Sequence, residues 1–262
     1  MGAEERRWKH DGWEATIRIG VLVPHADVGP ESELKAMAPP SVAIHATRVP
    51  FGAMASRGVM DPTIPLAPVR SFAEPPHLDN AAELLAAAPL DAIAYGFTSS
   101  AYVIGVQGEA EMSIRLKRRT RGIPVVATCK AAVEGLRVLG ARRIALVDPP
   151  WFDTELNALG RRYYESAGFE VVYSAPCGLP SSQAKITPSD LHAWVSEHAS
   201  TDAEAIVIGG NGLRAVGTIA ALEEDLGRAV VTANQALLWA ALRVANADPS
   251  SVSDYGRLFG SG

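Results

Sequence analysis

Two side chains in this sequence carry acid–base chemistry at positions where an α/β chain meets a ligand. Cys129 stands in VVATCKAAV, directly after an apolar run and in the first turn of the helix that follows, with Lys130 beside it. A helix N-terminus and a neighbouring cation both lower a thiol pKa from its ordinary ~8.5, so the spacing predicts an activated thiol. A small buried residue in a first helical turn is the alternative reading. His25 lies in the loop after RIGVLV, with Asp27 two positions on. An imidazole titrating near ~6.5 suits general acid–base work at neutral pH.

Short hydroxyl and amide side chains recur in similar loops: Thr98, Ser99, Ser100, Thr128, Asn211, Thr232 and Asn234. Each alone reads as a helix cap. Spread over strand-end clusters that open helices, they predict a site holding one or two carboxylates, because free N–H groups at helix starts favour anions. The His25-x-Asp27 pair lacks a second ligand pair, so no metal is expected. With Cys129 and Cys177 alone, neither a disulfide framework nor a Cys-rich cluster is expected. No G-x-S-x-G elbow or Ser-His-Asp spacing stands out, which ranks a hydrolase using His25 last.

The elements that must position these residues alternate along the chain. Short apolar, β-branched runs predict strands over 18–23, 42–49, 92–95, 125–128, 143–147, 170–173, 205–208 and 229–232. Between them, patterned stretches predict helices over 31–37, 81–88, 109–119, 130–139, 155–167, 188–197, 214–227 and 235–246. Continuously apolar strands alternating with helices predict an α/β fold with doubly wound parallel sheets. The proline-rich segment 50–77 reads as a long irregular lid or binding loop. Residues 1–16, with Trp8 and Trp13, read as an arm packed on the surface or on a partner subunit.

There is an internal repeat. RIGVLVPHA (18–26) matches RIALVDPPW (143–151), DAIAYGFTSS (91–100) matches EAIVIGGNGL (204–213), and VVATCKAAV (125–133) matches VVTANQALL (230–238). Three matches in one order fit two half-molecules of common ancestry, each presenting its strand C-terminal ends to the other, with a ligand cleft between them.

The chain has 262 residues, 48% hydrophobic and 20% charged, enough for a sizeable core. A net charge of −5 argues against a nucleic-acid partner or an anionic membrane surface. No apolar run reaches the ~18 residues of a membrane span. The opening MGAEERRWKH lacks the apolar stretch of a signal peptide, so a cytoplasmic location is expected.

The segments RIGVLVPHADVGPESELKAMAP, DAIAYGFTSS, IPVVATCKAAVEGLRVLGARRIALVDP, AIVIGGNGLRAVGTIAALEEDLGRAVVTANQALLWAALR and the tail YGRLF resemble the maleate isomerase and arylmalonate decarboxylase branch of the Asp/Glu racemase superfamily. The resemblance covers nearly everything after residue 17. It implies two pseudo-symmetric flavodoxin-like domains, the first from 1–122 plus 232–262 and the second from 123–231, with the last helix returning to the first domain. It also implies no cofactor and a substrate cleft between the domains. Racemases and maleate isomerases place a cysteine after each of two equivalent strands; arylmalonate decarboxylases keep only the second. In YGFTSS the first thiol position falls on Phe97, and in IGGNGLRA the second falls on Gly210, so both thiols are missing. Phe97 is expected to narrow one side of the pocket. Gly210 is expected to open space and offer a backbone N–H, and Trp151 or Phe152 to seal the cleft.

The expected function is therefore a cofactor-independent isomerase, decarboxylase or lyase-type enzyme on a small carboxylate or related amide. Its acid–base groups are moved to Cys129 and His25, and Phe97, Thr98, Ser99, Ser100, Thr128, Trp151, Gly210, Asn211, Gly212 and Asn234 contact substrate. A non-catalytic carboxylate-binding module and a hydrolase using His25 are the alternatives. Apolar surface covered by Trp8 and Trp13 predicts a homo-oligomer.

Overall fold

Runs such as AIAY and AIVI are buried at every residue, because helices cover both faces of the sheets they join. A computed structural model describes residues 11–59 and 61–261. The first lobe runs β1 (Ile17–Pro24), α1 (Gly29–Met37), β2 (Val42–Val49), α2 (Leu66–Phe72), α3 (His77–Leu85), β3 (Ala92–Tyr95), α4 (Thr98–Arg119) and β4 (Val125–Ala127). There follow α5 (Thr128–Val138), β5 (Arg143–Asp148), α6 (Thr154–Ser166), β6 (Glu170–Pro176), α7 (Pro188–His198), β7 (Ala205–Ile208), α8 (Ile219–Leu226), β8 (Ala229–Thr232) and α9 (Ala233–Val244).

All strand pairs are parallel, in two four-stranded sheets ordered β2-β1-β3-β4 and β6-β5-β7-β8. Repeated segments thus occupy equal places: β1 and β5 sit one strand in from an edge, and β3 and β7 beside them. Parallel order puts all C-terminal strand ends of a sheet on one side, where βα loops assemble a site.

Three sequence expectations change. The division at residue 123 moves, because β4 pairs with β3 in the first sheet, Ile93 opposite Val125 and Tyr95 opposite Ala127. Arg121 and Gly122, both at positive φ, make a tight turn that returns the chain to that sheet rather than a linker out of it. The helix expected over 109–119 begins at Thr98, immediately after β3, and is interrupted at Gly105 (φ 72°, ψ 175°). The proline-rich segment contains α2, with Pro68 inside the first turn, where its missing N–H costs nothing. α9 packs against α5, α1, β3 and β4, tying the tail to the first lobe.

Trp8 lies outside the described residues, and Trp13 is 80% exposed, so within this chain it covers no apolar surface. Among the described residues, no helix is long and apolar enough to cross a membrane.

Candidate functional site

Each central strand, β3 and β7, is followed by a glycine, a turning residue and then a polar residue: Gly96-Phe97-Thr98 and Gly209-Gly210-Asn211. The two polar residues meet across the lobes. Thr98 donates from its backbone N (2.8 Å) and its Oγ1 (2.7 Å) to Asn211 Oδ1, while Gly210 N donates to Thr98 Oγ1 at 3.2 Å. Thr128 Oγ1 lies 2.9 Å from Tyr95 O and 3.2 Å from Asn211 Oδ1. Asn211 Nδ2 donates to Asn234 Oδ1 (2.8 Å), and Asn234 Nδ2 donates to Asn211 O (2.9 Å) and Glu33 Oε2 (2.7 Å). Glu33 Oε1 accepts the N–H groups of Ala215 and Val216 at 2.6 and 3.0 Å. Burial pushes Glu33 up to about 7 against the pull of these donors.

Thr98, Thr128, Asn211 and Asn234 therefore spend their hydrogen-bonding capacity on clasping the lobes together. The expectation of polar tips held free for a carboxylate is corrected at these positions.

Beside the clasp lies a small cavity with room for roughly one water. Its apolar wall is Phe51, Met54, Ile64, Phe97, Trp151 and Phe152. Phe97 is held by Phe51 (ring centroids 4.8 Å, 70°) and Phe72 (4.2 Å, 43°), so it narrows this side rigidly. Three wall residues come from the proline-rich segment, which is fastened to the second lobe by Ile64 N to Trp151 O (3.0 Å) and Ser181 Oγ to Pro62 O (2.8 Å).

The polar wall is Asp27, Thr98, Ser99 and Gln183 with the Gly210–Gly212 turn. Ser99 is 2% exposed at the N-terminus of α4, and its hydroxyl has no hydrogen-bond partner among the described residues. Asp27 is also buried. Its Oδ1 accepts from Gly29 N (2.8 Å) and Gln183 Nε2 (3.1 Å), and burial raises its pKa against those two bonds and Arg48.

The two residues expected to carry acid–base work lie elsewhere. Cys129 is fully buried off the cavity wall, with Sγ 3.6 Å from Thr98 O. Burial, then the carboxyls of Glu109 and Asp148, push its thiol well above the ordinary value, opposite to the expected direction. Lys130 does not help, since its ammonium is paired with Glu134 at 3.7 Å. In the internal repeat Cys129 aligns with Asn234, and it does the same job: each side chain donates to the carbonyl of the polar residue after a central strand, Thr98 or Asn211.

His25 is exposed, its Nδ1 accepts from Phe51 N at 3.1 Å, and its ring is absent from the cavity wall. Ser100 is turned inward to Tyr95 Oη (2.7 Å) and Phe97 O (3.0 Å). Gly210 neither opens space nor offers a free N–H. It holds φ +81°, a Cβ there would fall inside the Pro149 ring, and its N–H is bound to Thr98. Sequence reasoning missed Phe51, Met54, Ile64 and Gln183, and gave Asp27 only a supporting place. These lie in loops whose positions no periodicity encodes.

Behind the wall a second buried network spans the lobes. Asp148 accepts from Tyr102 Oη (3.1 Å) and Asn157 Nδ2 (2.8 Å), and Glu109 accepts from the Tyr163 hydroxyl and from Cys129 N (3.2 Å) and Lys130 N (3.4 Å). Burial pushes both carboxyls up to about 7. Among the described residues, no group of three or more His, Cys, Asp or Glu is placed to hold a metal.

The family model described as arylmalonate decarboxylase matches residues 75–259. Maleate isomerase of Pseudomonas putida is 27% identical over 239 residues, covering 88% of this chain and 93% of that protein. Arylmalonate decarboxylase of Bordetella bronchiseptica is 28% identical over 170 residues, covering 62% and 68%. The fold is shared with the Pseudomonas putida maleate isomerase Iso crystallised with maleate (TM-score 0.81, 21% identity, 94% of this chain and 98% of that one). It is shared too with the Nocardia farcinica maleate cis-trans isomerase carrying a covalently bound succinylcysteine intermediate (TM-score 0.78, 23% identity, 93% and 98%). With the motifs after both central strands in place and the family model matching well over half its length, the chain belongs to the arylmalonate decarboxylase family.

Proposed function

We propose that this protein is a cofactor-independent isomerase or lyase whose substrate, a small carboxylic acid or related cyclic amide, sits between the lobes at this cavity once the proline-rich wall of Phe51, Met54 and Ile64 has shifted to enlarge it beyond the space of one water. The observation that carries this reading is Ser99, whose hydroxyl has no hydrogen bond to the described residues, at the N-terminus of α4 and on the wall of a mostly apolar cavity. Backbone N–H groups of a first helical turn and a hydroxyl beside them suit a carboxylate. The apolar wall suits the rest of a small organic acid and limits water.

The Nocardia relative forms a succinyl adduct on a cysteine. This chain has Phe97 and Gly210 where the resemblance puts thiols, and the Pro149 ring fills the space a side chain at 210 would take. The reading is therefore one of proton transfer without a cysteine adduct.

The test is incubation of the purified protein with maleate, phenylmalonate, methylmalonate and hydantoin, followed by NMR and mass spectrometry. Turnover of at least one probe is expected, and Ser99→Ala should weaken its binding roughly five- to tenfold, the worth of about 1 kcal/mol of hydrogen bonding. A second reading, a binding module without chemistry, is favoured by the missing thiols. Thermal stabilisation by these acids with no product would establish it in place of the first.

A further inference from the structure

We propose that Asp27 is the proton donor and acceptor of this site, standing in for the absent thiols; the assignment rests on the cavity being catalytic. Among the described residues, Asp27 is the only cavity-lining side chain with a carboxyl group, the other polar lining groups being Thr98, Ser99, Gln183 and Asn211. Its geometry fits that task. Oδ1 is held by Gly29 N at 2.8 Å and Gln183 Nε2 at 3.1 Å, one donor from each lobe. Oδ2 has no hydrogen-bond partner among the described residues, and it faces the Gly210–Gly212 turn, 2.9 Å from where a Cβ on Gly212 would stand. One oxygen is thus anchored, and the other is left without a donor beside a turn that itself lines the cavity. Enclosure raises the carboxyl pKa above its ordinary value, which keeps a proton available nearer neutrality. Gly212 is glycine for a related reason: a side chain there would overlap Gln183 Nε2 and crowd Oδ2.

For a malonate-type acid the step balances as follows. The bond from the α-carbon to one carboxylate breaks and carbon dioxide leaves. The electron pair passes to the α-carbon and is delocalised as an enediolate into the remaining carboxylate, held at Ser99 and the α4 N-terminus. The Asp27 O–H bond then breaks as a C–H bond forms, and the Asp27 carboxylate is reprotonated by water from the solvent. Run backwards, the final step makes the Asp27 carboxylate a base that removes an α-hydrogen, so the enzyme should exchange that hydrogen with solvent.

The experiment uses the full chain in D₂O with phenylmalonate, methylmalonate and maleate as substrates and phenylacetate as exchange probe. Wild type is compared with Asp27→Asn, which keeps the Oδ1 acceptor but has no acidic proton, and with Asp27→Glu, His25→Asn and Cys129→Ala. Wild type is expected to consume or exchange at least one probe. Asp27→Asn should lower kcat at least 100-fold with Kd within threefold, as removal of a general acid does. Asp27→Glu should restore part of the rate, and the His25 and Cys129 variants should stay within threefold of wild type. If Asp27→Asn fails to fold by its thermal melt, Asp27→Ser, which keeps an acceptor for Gly29 N–H, takes its place with the same expected loss. A substituted protein that folds and retains kcat within threefold of wild type overturns the assignment while leaving the enzyme reading intact. A wild type that neither consumes nor exchanges any probe overturns both, and that result comes from the wild type alone.

Discussion

Cys129 shows how a residue's neighbours override its local signals. Its place in the first turn of α5, next to Lys130, is the setting of an activated thiol. The tertiary structure instead seals it beneath Thr98 and faces it with the carboxyls of Glu109 and Asp148, so the thiol stays protonated. Cys129→Ala should cost about 1–2 kcal/mol in urea unfolding, as loss of one buried atom does, with turnover within threefold of wild type. Gly210 is the converse case. The sequence resemblance makes it look like a thiol removed, but φ +81° and the Pro149 ring make it a position that accepts no side chain. Gly210→Cys should destabilise the fold by at least about 2 kcal/mol in the same urea titration and restore no thiol chemistry. A stable, thiol-reactive variant would show that the Pro149 loop yields readily.

The two halves cap equivalent helices by different means. α9 closes its N-terminus locally, with a capping box between Thr232 and Gln235. α5, its counterpart, has Ala127 at the N-cap and no side-chain cap of its own. Glu109, carried on the second half of α4, reaches across to take Cys129 N and Lys130 N while also accepting from Tyr163 of α6. One carboxyl thus joins three helices. Glu109→Ala leaves two backbone donors and a buried hydroxyl unpaired, and should cost about 2–4 kcal/mol. Thr232→Ala should cost about 1 kcal/mol, and differential scanning calorimetry of both variants separates a long-range cap from a local one. Equal losses would mean that α5 recruits another acceptor.

Over the whole molecule, buried carboxyls help to join the lobes. Glu33, Glu109 and Asp148 are each pushed up to about 7 by burial. Below the ordinary carboxyl range both folded and unfolded chains hold these protons. Between that range and about 7 the unfolded chain releases them while the folded chain keeps them, so stability falls as pH rises. Above about 7 both states are ionised and this dependence levels off. Urea midpoints should therefore drop from pH 5 to pH 7.5, by up to about 1.4 kcal/mol per pH unit for each group, and Glu109→Gln with Asp148→Asn should flatten the curve. Exposed carboxylates with lowered pKa, such as Glu204, act at lower pH and do not mask it. A wild-type midpoint that rises across this interval would contradict the picture.

The repeating order of strands and helices was legible because it is written in local chemistry. A four-residue apolar run such as AIVI between polar turns has one economical solution, a strand covered on both faces. The motifs after β3 and β7 were legible for the same reason. Composition hid the first half of α4, where the β-prone run AYVI folds as helix up to the break at Gly105. The proline-rich segment hid α2 similarly. Which polar atoms face the cavity was decided only by tertiary packing. Thr98, Asn211 and Asn234 look like ligand groups until the two lobes bring them within hydrogen-bonding distance of each other. Asp27 looks like a companion of His25 until Gln183, 156 residues away, meets it on the cavity wall. Side-chain type is a local property, whereas burial and partnership depend on contacts between distant segments, and those set which proton is available.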